Sequence, residues 1–409
     1  MINTRQDRLV AFLTKGIVVN LFIFAFSCSI SKALTSTSGG LICLFWLIKL
    51  IITKEYKFRI SSIGLPFIVF IVGILISGID AWNSKTGDTL GKFLLLALFY
   101  FAVINTKIEL KTIKHISIVT LMSMLISSLY GLYQHYYLRI TRISSFCGPL
   151  AFGNLLGIAM LFTVSFMLWG ETKKSNKAIL LFTTLLFGLN LLFTQARGAW
   201  LGFLGALFLL LWLKNKKLLI FLATFCIILL LTLPPVYVER FYSSFDISDD
   251  SSNQTRLALW KAAVQMFLDH PINGVGIGNY SNICKTKYTQ GKDLATTVHA
   301  HNNFLHYMAE MGIIGLLSLT WLMLAALRLL YQNYKQNPDP NWRLFLLASF
   351  CGLIVFNIQG LTENTFADAE TVRFFWYLLG LNMGIINNFK QNLDKDQVFS
   401  QAQDEMKTI

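Results

Sequence analysis

Charge is what this sequence lacks most. Only 14% of its 409 residues are Asp, Glu, Lys or Arg, against about 25% in a typical soluble domain, which excludes a chain whose main solvent is water. Metal-ligand spacing is missing as well. The six cysteines, Cys28, Cys43, Cys147, Cys226, Cys284 and Cys351, stand singly with no CxxC or Cys/His arrangement, so no structural zinc module is expected. Cys147 and Cys284 both fall in segments read below as outward-facing, where an oxidising compartment would allow a disulfide between them. A small-residue cleavage site is lacking after Arg5, Arg8 and the apolar run from about Val10, so the first apolar segment reads as a retained helix and not a removed signal peptide.

What is there is apolar length. Hydrophobic residues make up 55% of the chain and the mean hydropathy is +0.56. Runs of about 17 to 25 residues recur along it, each long enough to cross a hydrocarbon core of about 30 Å as a helix. They lie near 10–28, 33–52, 62–79, 90–105, 114–133, 150–169, 178–195, 199–213, 217–235, 304–330, 343–362 and 371–389. The expected fold is therefore an all-α membrane protein of about twelve transmembrane helices. Its blocks are 1–235 with nine helices, a loop domain over 236–303, three more helices over 304–390, and a tail over 391–409.

Basic residues give the orientation. Lys54, Lys57 and Arg59; Lys107, Lys111 and Lys114; Lys173, Lys174 and Lys177; Lys214, Lys216 and Lys217; and Lys335 with Arg343 occupy every second loop. That side, with both termini, is read as cytoplasmic. The net charge of +14 is then mostly topology, and no nucleic acid is expected as a partner. The opposite side carries arginine as well as lysine, with Arg139, Arg142, Arg197 and Arg373 near the helix ends. Arginine offers a planar fork that grips phosphate with two bonds. The same residues can equally anchor the chain to lipid headgroups.

The long outward loop turns polar. Within it Asn253 or Thr255 is placed to cap an amphipathic helix with Leu259, Trp260, Ala263, Val264 and Phe267 on one face, ending at His270-Pro271. Arg256 sits in its first turn. Asp246, Asp249 and Asp250 resemble a cation-binding group but read better as a solvated linker, and Gly274, Gly276 and Gly278 in GVGIGNY read as a tight turn, since no strand and helix frame them. Where the loop re-enters the membrane stands His299-Ala300-His301-Asn302-Asn303. Imidazole accepts a proton near neutral pH without a large pKa shift, which suits activation of a sugar hydroxyl; a histidine here would also serve as a mere helix cap. Arg197, in TQARGAWLGF between two helices joined by almost no loop, is an expensive place for a cation without an anionic partner. Glu310, Glu363 and Glu370 are all available as partners, and the sequence does not rank them.

TQARGAWLGF, then TRLALWKAAVQMFLDHPINGVGIGNY, then HAHNNFLHYMAEMGIIG resembles the O-antigen ligase and polymerase superfamily. His301-Asn302, nine residues, then Gly312-Ile313-Ile314-Gly315 fits the ligase pattern. The resemblance implies a GT-C type glycosyltransferase of the bacterial inner membrane. It would move preassembled O-antigen from undecaprenyl diphosphate to the lipid A-core at the periplasmic face; since two arginines can stabilise the leaving charge without metal or other cofactor and no carboxylate nucleophile stands out, one displacement with inversion is expected. It implies His301 as general base and Arg197 and Arg256 as diphosphate ligands. Arg142, in RISSFCGPLAFGN, joins them less securely because the family's Asn-Pro-Asn-like segment here reads Gly148-Pro149-Leu150. Asn302, His299, Arg139 and Glu310 are expected in support. The alternatives are a polymerase joining lipid-linked repeat units, and a polytopic lipid or glycan transporter, against which stand the absence of an internal repeat and the gathering of charge at one rim.

Overall fold

The computed structural model describes residues 5–54, 61–79, 81–243, 251–288 and 299–407. Asp246, Asp249 and Asp250, like Lys57 and Arg59, lie outside the described residues. The described chain is helical. The helices are α1 (Arg5–Ser27), α2 (Lys32–Thr53), α3 (Gly64–Gly78), α4 (Ser84–Ile104), α5 (Leu110–Tyr136), α6 (Pro149–Trp169), α7 (Lys174–Phe193), α8 (Arg197–Lys214), α9 (Leu218–Thr232), α10 (Pro235–Tyr242), α11 (Ser251–Asp269), α12 (Tyr280–Ile283), α13 (Asn303–Gln336), α14 (Pro340–Gln359) and α15 (Ala369–Lys407).

Among the described residues, nine helices are long and apolar enough to cross a membrane, or ten if the bent pair α9–α10 is one span. The other two expected runs are also helical, as the 15-residue α3 and the first part of α15. The chain is a multi-pass membrane protein. α6 and α14 sit deepest: α6 packs on α7, α8 and α14, and α14 also on α8 and α13. Buried hydroxyls tie further helices together, with Ser29 Oγ 2.7 Å from Ser123 Oγ and 2.8 Å from Ser127 Oγ on α5, the small-residue contact that lets helices approach closely where no hydrophobic drive exists between them.

Two features differ from the sequence reading. The run at 217–235 ends in a 120° bend, because Pro234 and Pro235 cannot continue a helix and hold the residues before them extended. Leu233 (ψ 144°) and Pro234 (ψ 144°) are both extended, and α10 therefore leaves the direction of α9. Second, α11 begins at Ser251, upstream of Asn253 and Thr255, so neither caps it. Its buried face is Leu259, Ala262, Ala263 and Met266, packed with Val275, Tyr280, Cys284, Ala300 and Ala309 in a small core of their own, while Val264 is exposed. All six cysteines are free; Cys284 belongs to this small core and Cys147 packs against the main one, so the disulfide between them does not form.

GVGIGNY is a turn with Gly274, Gly276 and Gly278 at positive φ. It docks on a kink of α13, where Gly312 has φ 62° and ψ −148°. That conformation is open essentially to glycine alone. It turns the helix so that Ile313 N–H donates to the Pro271 carbonyl (2.9 Å), Val275 N–H to Ala309 (2.9 Å) and Gly276 N–H to Glu310 (3.0 Å). The Gly-x-x-Gly segment thus fixes the loop to the helix that starts at the histidines.

Candidate active site

The head of α13 is stitched to the turn that follows α14. Asn302 is the N-cap: its side chain accepts from the Leu305 N–H (3.0 Å) and its amide donates to the Leu361 carbonyl (3.0 Å). The Asn303 N–H donates to the Gly360 carbonyl (2.7 Å), and the Asn303 side-chain amide to Thr365 Oγ1 (2.7 Å). Two consecutive asparagines therefore clamp 360–365 against the helix start. The clamp brings Glu363 to His301, whose Nδ1 lies 2.9 and 3.0 Å from the two carboxylate oxygens. His301 precedes the cap instead of forming it, at φ 49°, a left-handed conformation that costs a non-glycine residue about 1 kcal/mol and is held here by the stitching around it.

The hydrogen bonds assign the protons. Burial raises the Glu363 pKa, but the His301 hydrogen bond and the charges of His301 and His299 outweigh it, leaving the carboxyl below its ordinary 4.5. An ionised Glu363 accepts, so His301 Nδ1 carries the proton and donates, and His301 Nε2 keeps a lone pair. His299 Nδ1 accepts the His301 backbone N–H at 3.2 Å, which puts the His299 proton on Nε2, 3.5 Å from Glu363 Oε1. Burial, then the neighbouring His301, pushes the His299 pKa down from 6.5 to about 4. Ligand atoms of His299, His301 and Glu363 lie within 4.8 Å of one another. A divalent cation there would require the opposite tautomer of both histidines, with the lone pairs of His299 Nε2 and His301 Nδ1 turned to it.

Glu363 also borders a cavity of about 210 Å³ that Arg142, Arg197, Arg240 and Arg256 line. Each guanidinium arrives from a different element. Arg197 opens α8 at the sharp α7–α8 turn and is only 8% exposed; its Nη1 donates to the Ser243 carbonyl (2.9 Å) and Oγ (2.8 Å), and its Nη2 to Asn253 Oδ1 (3.2 Å). Arg142 comes from the loop after α5, with Nε bonded to the Thr194 carbonyl (3.2 Å). Burial and then the charge of Arg197 lower its pKa. Arg256 on α11 donates from Nε to the Thr362 carbonyl (3.0 Å) and from Nη1 to Ser252 Oγ (3.0 Å). Arg240 is carried in by α10. Among the described residues that line the cavity, Glu363 is the carboxylate beside these four guanidinium groups, and Arg197 in addition stands at the positive end of the α8 dipole, a place that favours an anion.

The family described as O-antigen ligase matches this chain over residues 182–320, a stretch that holds Arg197, Arg240, Arg256, His299 and His301. The match supports an O-antigen ligase family assignment. No curated protein matches it. The O-antigen ligase family covers ligases and related polymerases, glycosyl-transfer enzymes that act on lipid-linked polysaccharides in a membrane.

Arg142, Arg197 and Arg256 line the arginine cavity, His299 and His301 lie against Glu363 at its border, and Asn302 caps the helix that follows. Arg139 does not line the cavity; it sits at φ 56° in the loop after α5. Glu310 is buried on α13, where its carboxylate accepts the Tyr280 N–H (3.0 Å) and faces His306 (3.5 Å). It supports the loop and does not touch His301. Glu370 pairs with Lys32 at 2.8 Å. Glu363 is thus the carboxylate beside His301, and Arg240 is an addition to the cavity: the Pro234-Pro235 break and the amphipathic VYVERFY after it were the signals that could have found it.

Proposed function

We propose that the protein is an O-antigen ligase that transfers preassembled O-antigen from undecaprenyl diphosphate to the lipid A-core, at the periplasmic face of the bacterial inner membrane. The observation that carries this reading is that Glu363 both borders the arginine cavity and holds His301, so a base and a diphosphate site adjoin. The diphosphate of the donor occupies the cavity of Arg142, Arg197, Arg240 and Arg256. An acceptor sugar hydroxyl attacks the anomeric carbon as the bond from that carbon to the diphosphate oxygen breaks. The hydroxyl proton passes to His301 Nε2, the Glu363 carboxylate stabilises the imidazolium through Nδ1, and the leaving diphosphate keeps its negative charge among the guanidinium groups. Orientation, one proton acceptor and fixed cations supply what the reaction needs, since the diphosphate is already a good leaving group. One displacement inverts the anomeric carbon.

The test is deletion of the gene from a smooth Gram-negative host, followed by complementation with wild type or His301→Ala at matched expression. A ligase leaves long O-chains on undecaprenyl diphosphate and none on core, and His301→Ala fails to rescue. Core carrying a single repeat unit would instead assign the polymerase reaction. Full rescue by the variant removes His301 from the chemistry.

A further inference from the structure

On the other side of the histidines lies a second, larger cavity, of about 680 Å³. His299 lines it, and His299 stacks edge-on to His301 with ring centroids 4.3 Å apart. The pair His299 and Glu363 therefore separates two chambers: Glu363 faces the arginine cavity and His299 faces this one.

The second chamber is the roomier of the two, and Phe93, Leu95, Leu96 and Phe99 of α4 give it an apolar floor. α2 contributes small residues, among them Thr35, Ser36, Gly39 and Gly40. A Cβ at Gly40 would meet nothing within 4 Å, so the absent side chain leaves a slot between α2 and α4. Around the apolar part stand four cations, Lys85, Lys92, Lys285 and Arg373, against two carboxylates, Asp88 and Glu310. Lys85 and Lys92 are seven positions apart on α4 and so share one helix face. The Arg373 guanidinium has a buried Nη1 with no hydrogen-bond partner among the described residues, a cost that an oxygen-rich anion would remove.

We infer that this chamber binds the acceptor, as a phosphate-bearing glycolipid whose acyl chains enter the slot between α2 and α4 and whose phosphate groups meet Lys85, Lys92 and Arg373. The inference rests on the transferase reading, because that reading requires a hydroxyl to approach His301 from a side the diphosphate does not occupy. An apolar chamber with a cationic rim, opening beside the base, matches one molecule carrying acyl chains, phosphate and a sugar hydroxyl together. The arginine cavity, with about a third of the volume, takes the diphosphate.

The test uses the full chain in phosphatidylcholine nanodiscs. Two probes are titrated: a bisphosphorylated, hexaacylated glucosamine disaccharide, and the same lipid after enzymatic removal of its phosphates. Undecaprenyl diphosphate is titrated in parallel. The Lys85→Gln/Lys92→Gln variant should bind the phosphorylated lipid about tenfold or more weakly, at about 1.4 kcal/mol per factor of ten. It should bind the dephosphorylated lipid and undecaprenyl diphosphate as wild type does. Gly40→Trp, which fills the slot, should weaken both glycolipid forms and leave undecaprenyl diphosphate binding intact, which also reports that the variant is folded. The inference is overturned if wild type does not prefer the phosphorylated lipid, if both variants bind it unchanged, or if they lose undecaprenyl diphosphate instead. Arg197→Gln separates the two readings: if it keeps full undecaprenyl diphosphate affinity, the transferase assignment of the arginine cavity fails, whatever the glycolipid results.

Discussion

Replacing Glu363 by Gln removes one charge and keeps the volume. In the wild type the carboxylate accepts from His301 Nδ1 at 2.9 Å, fixing the tautomer that leaves Nε2 free, and it would stabilise the imidazolium formed when the acceptor hydroxyl gives up its proton. A glutamine loses the second effect outright. It also offers an N–H to Nδ1, which favours the opposite tautomer, with the proton on Nε2 where the base must act. General-base catalysis contributes about 10²- to 10⁴-fold, so Glu363→Gln should lower kcat by a factor in that range, about 3 to 5 kcal/mol in the barrier, with KM for the donor little changed. Initial rates of glycan transfer between purified lipid-linked donor and acceptor, over a range of pH, are the assay. His301→Ala and the double variant should be about as slow as the single one, since the two groups act as a unit. A Glu363→Gln enzyme within about threefold of wild type would refute the base assignment, as would a double variant whose loss is the product of the two single losses.

Other outcomes follow from the same geometry. Arg240→Gln removes a charged contact worth about 1.5 to 3 kcal/mol, so donor affinity should fall about tenfold to a hundredfold in a binding titration. His299 is depressed to about 4 in the folded protein, whereas the unfolded chain takes up a proton below 6.5; its neutral burial therefore stabilises the fold above 6.5 and loses that contribution as pH falls toward 4. The Tm of the solubilised protein should drop between pH 7 and pH 5, and His299→Gln should flatten the drop. Asn302→Ala removes the α13 cap and the bond to Leu361; loss of a cap alone costs about 1 kcal/mol, and activity should fall further than stability because Glu363 is no longer held at His301. Chelation with EDTA should leave transfer unchanged, and a loss restored by added Zn²⁺ would show that His299, His301 and Glu363 hold a metal after all.

Most helices were legible because an apolar run in a chain this poor in charge has few other fates. Arg197 stood out too, since a cation between two abutting helices is in a costly position that the local sequence displays. What the sequence could not show was pairing through space. Glu310, Glu363 and Glu370 look alike along the chain, and only the Asn302–Leu361 and Asn303–Gly360 bonds single out Glu363. Arg240 was hidden because α9 and α10 read as one span followed by loop, until the two prolines turn α10 by 120°. The buried face of α11 was misjudged for a related reason: its register is set by α13 and the glycine turn, which bury Ala262 and Met266, and not by the most hydrophobic stripe of the helix.

The most direct measurement is the anomeric configuration of the product made by purified protein in liposomes from a defined undecaprenyl-diphosphate-linked glycan and a lipid A-core acceptor, read by NMR for wild type and His301→Ala. Transfer with inversion by wild type, and none by the variant, is the predicted result. Retention of configuration, or equal transfer by His301→Ala, would contradict a single displacement driven by His301 across an arginine-bound diphosphate.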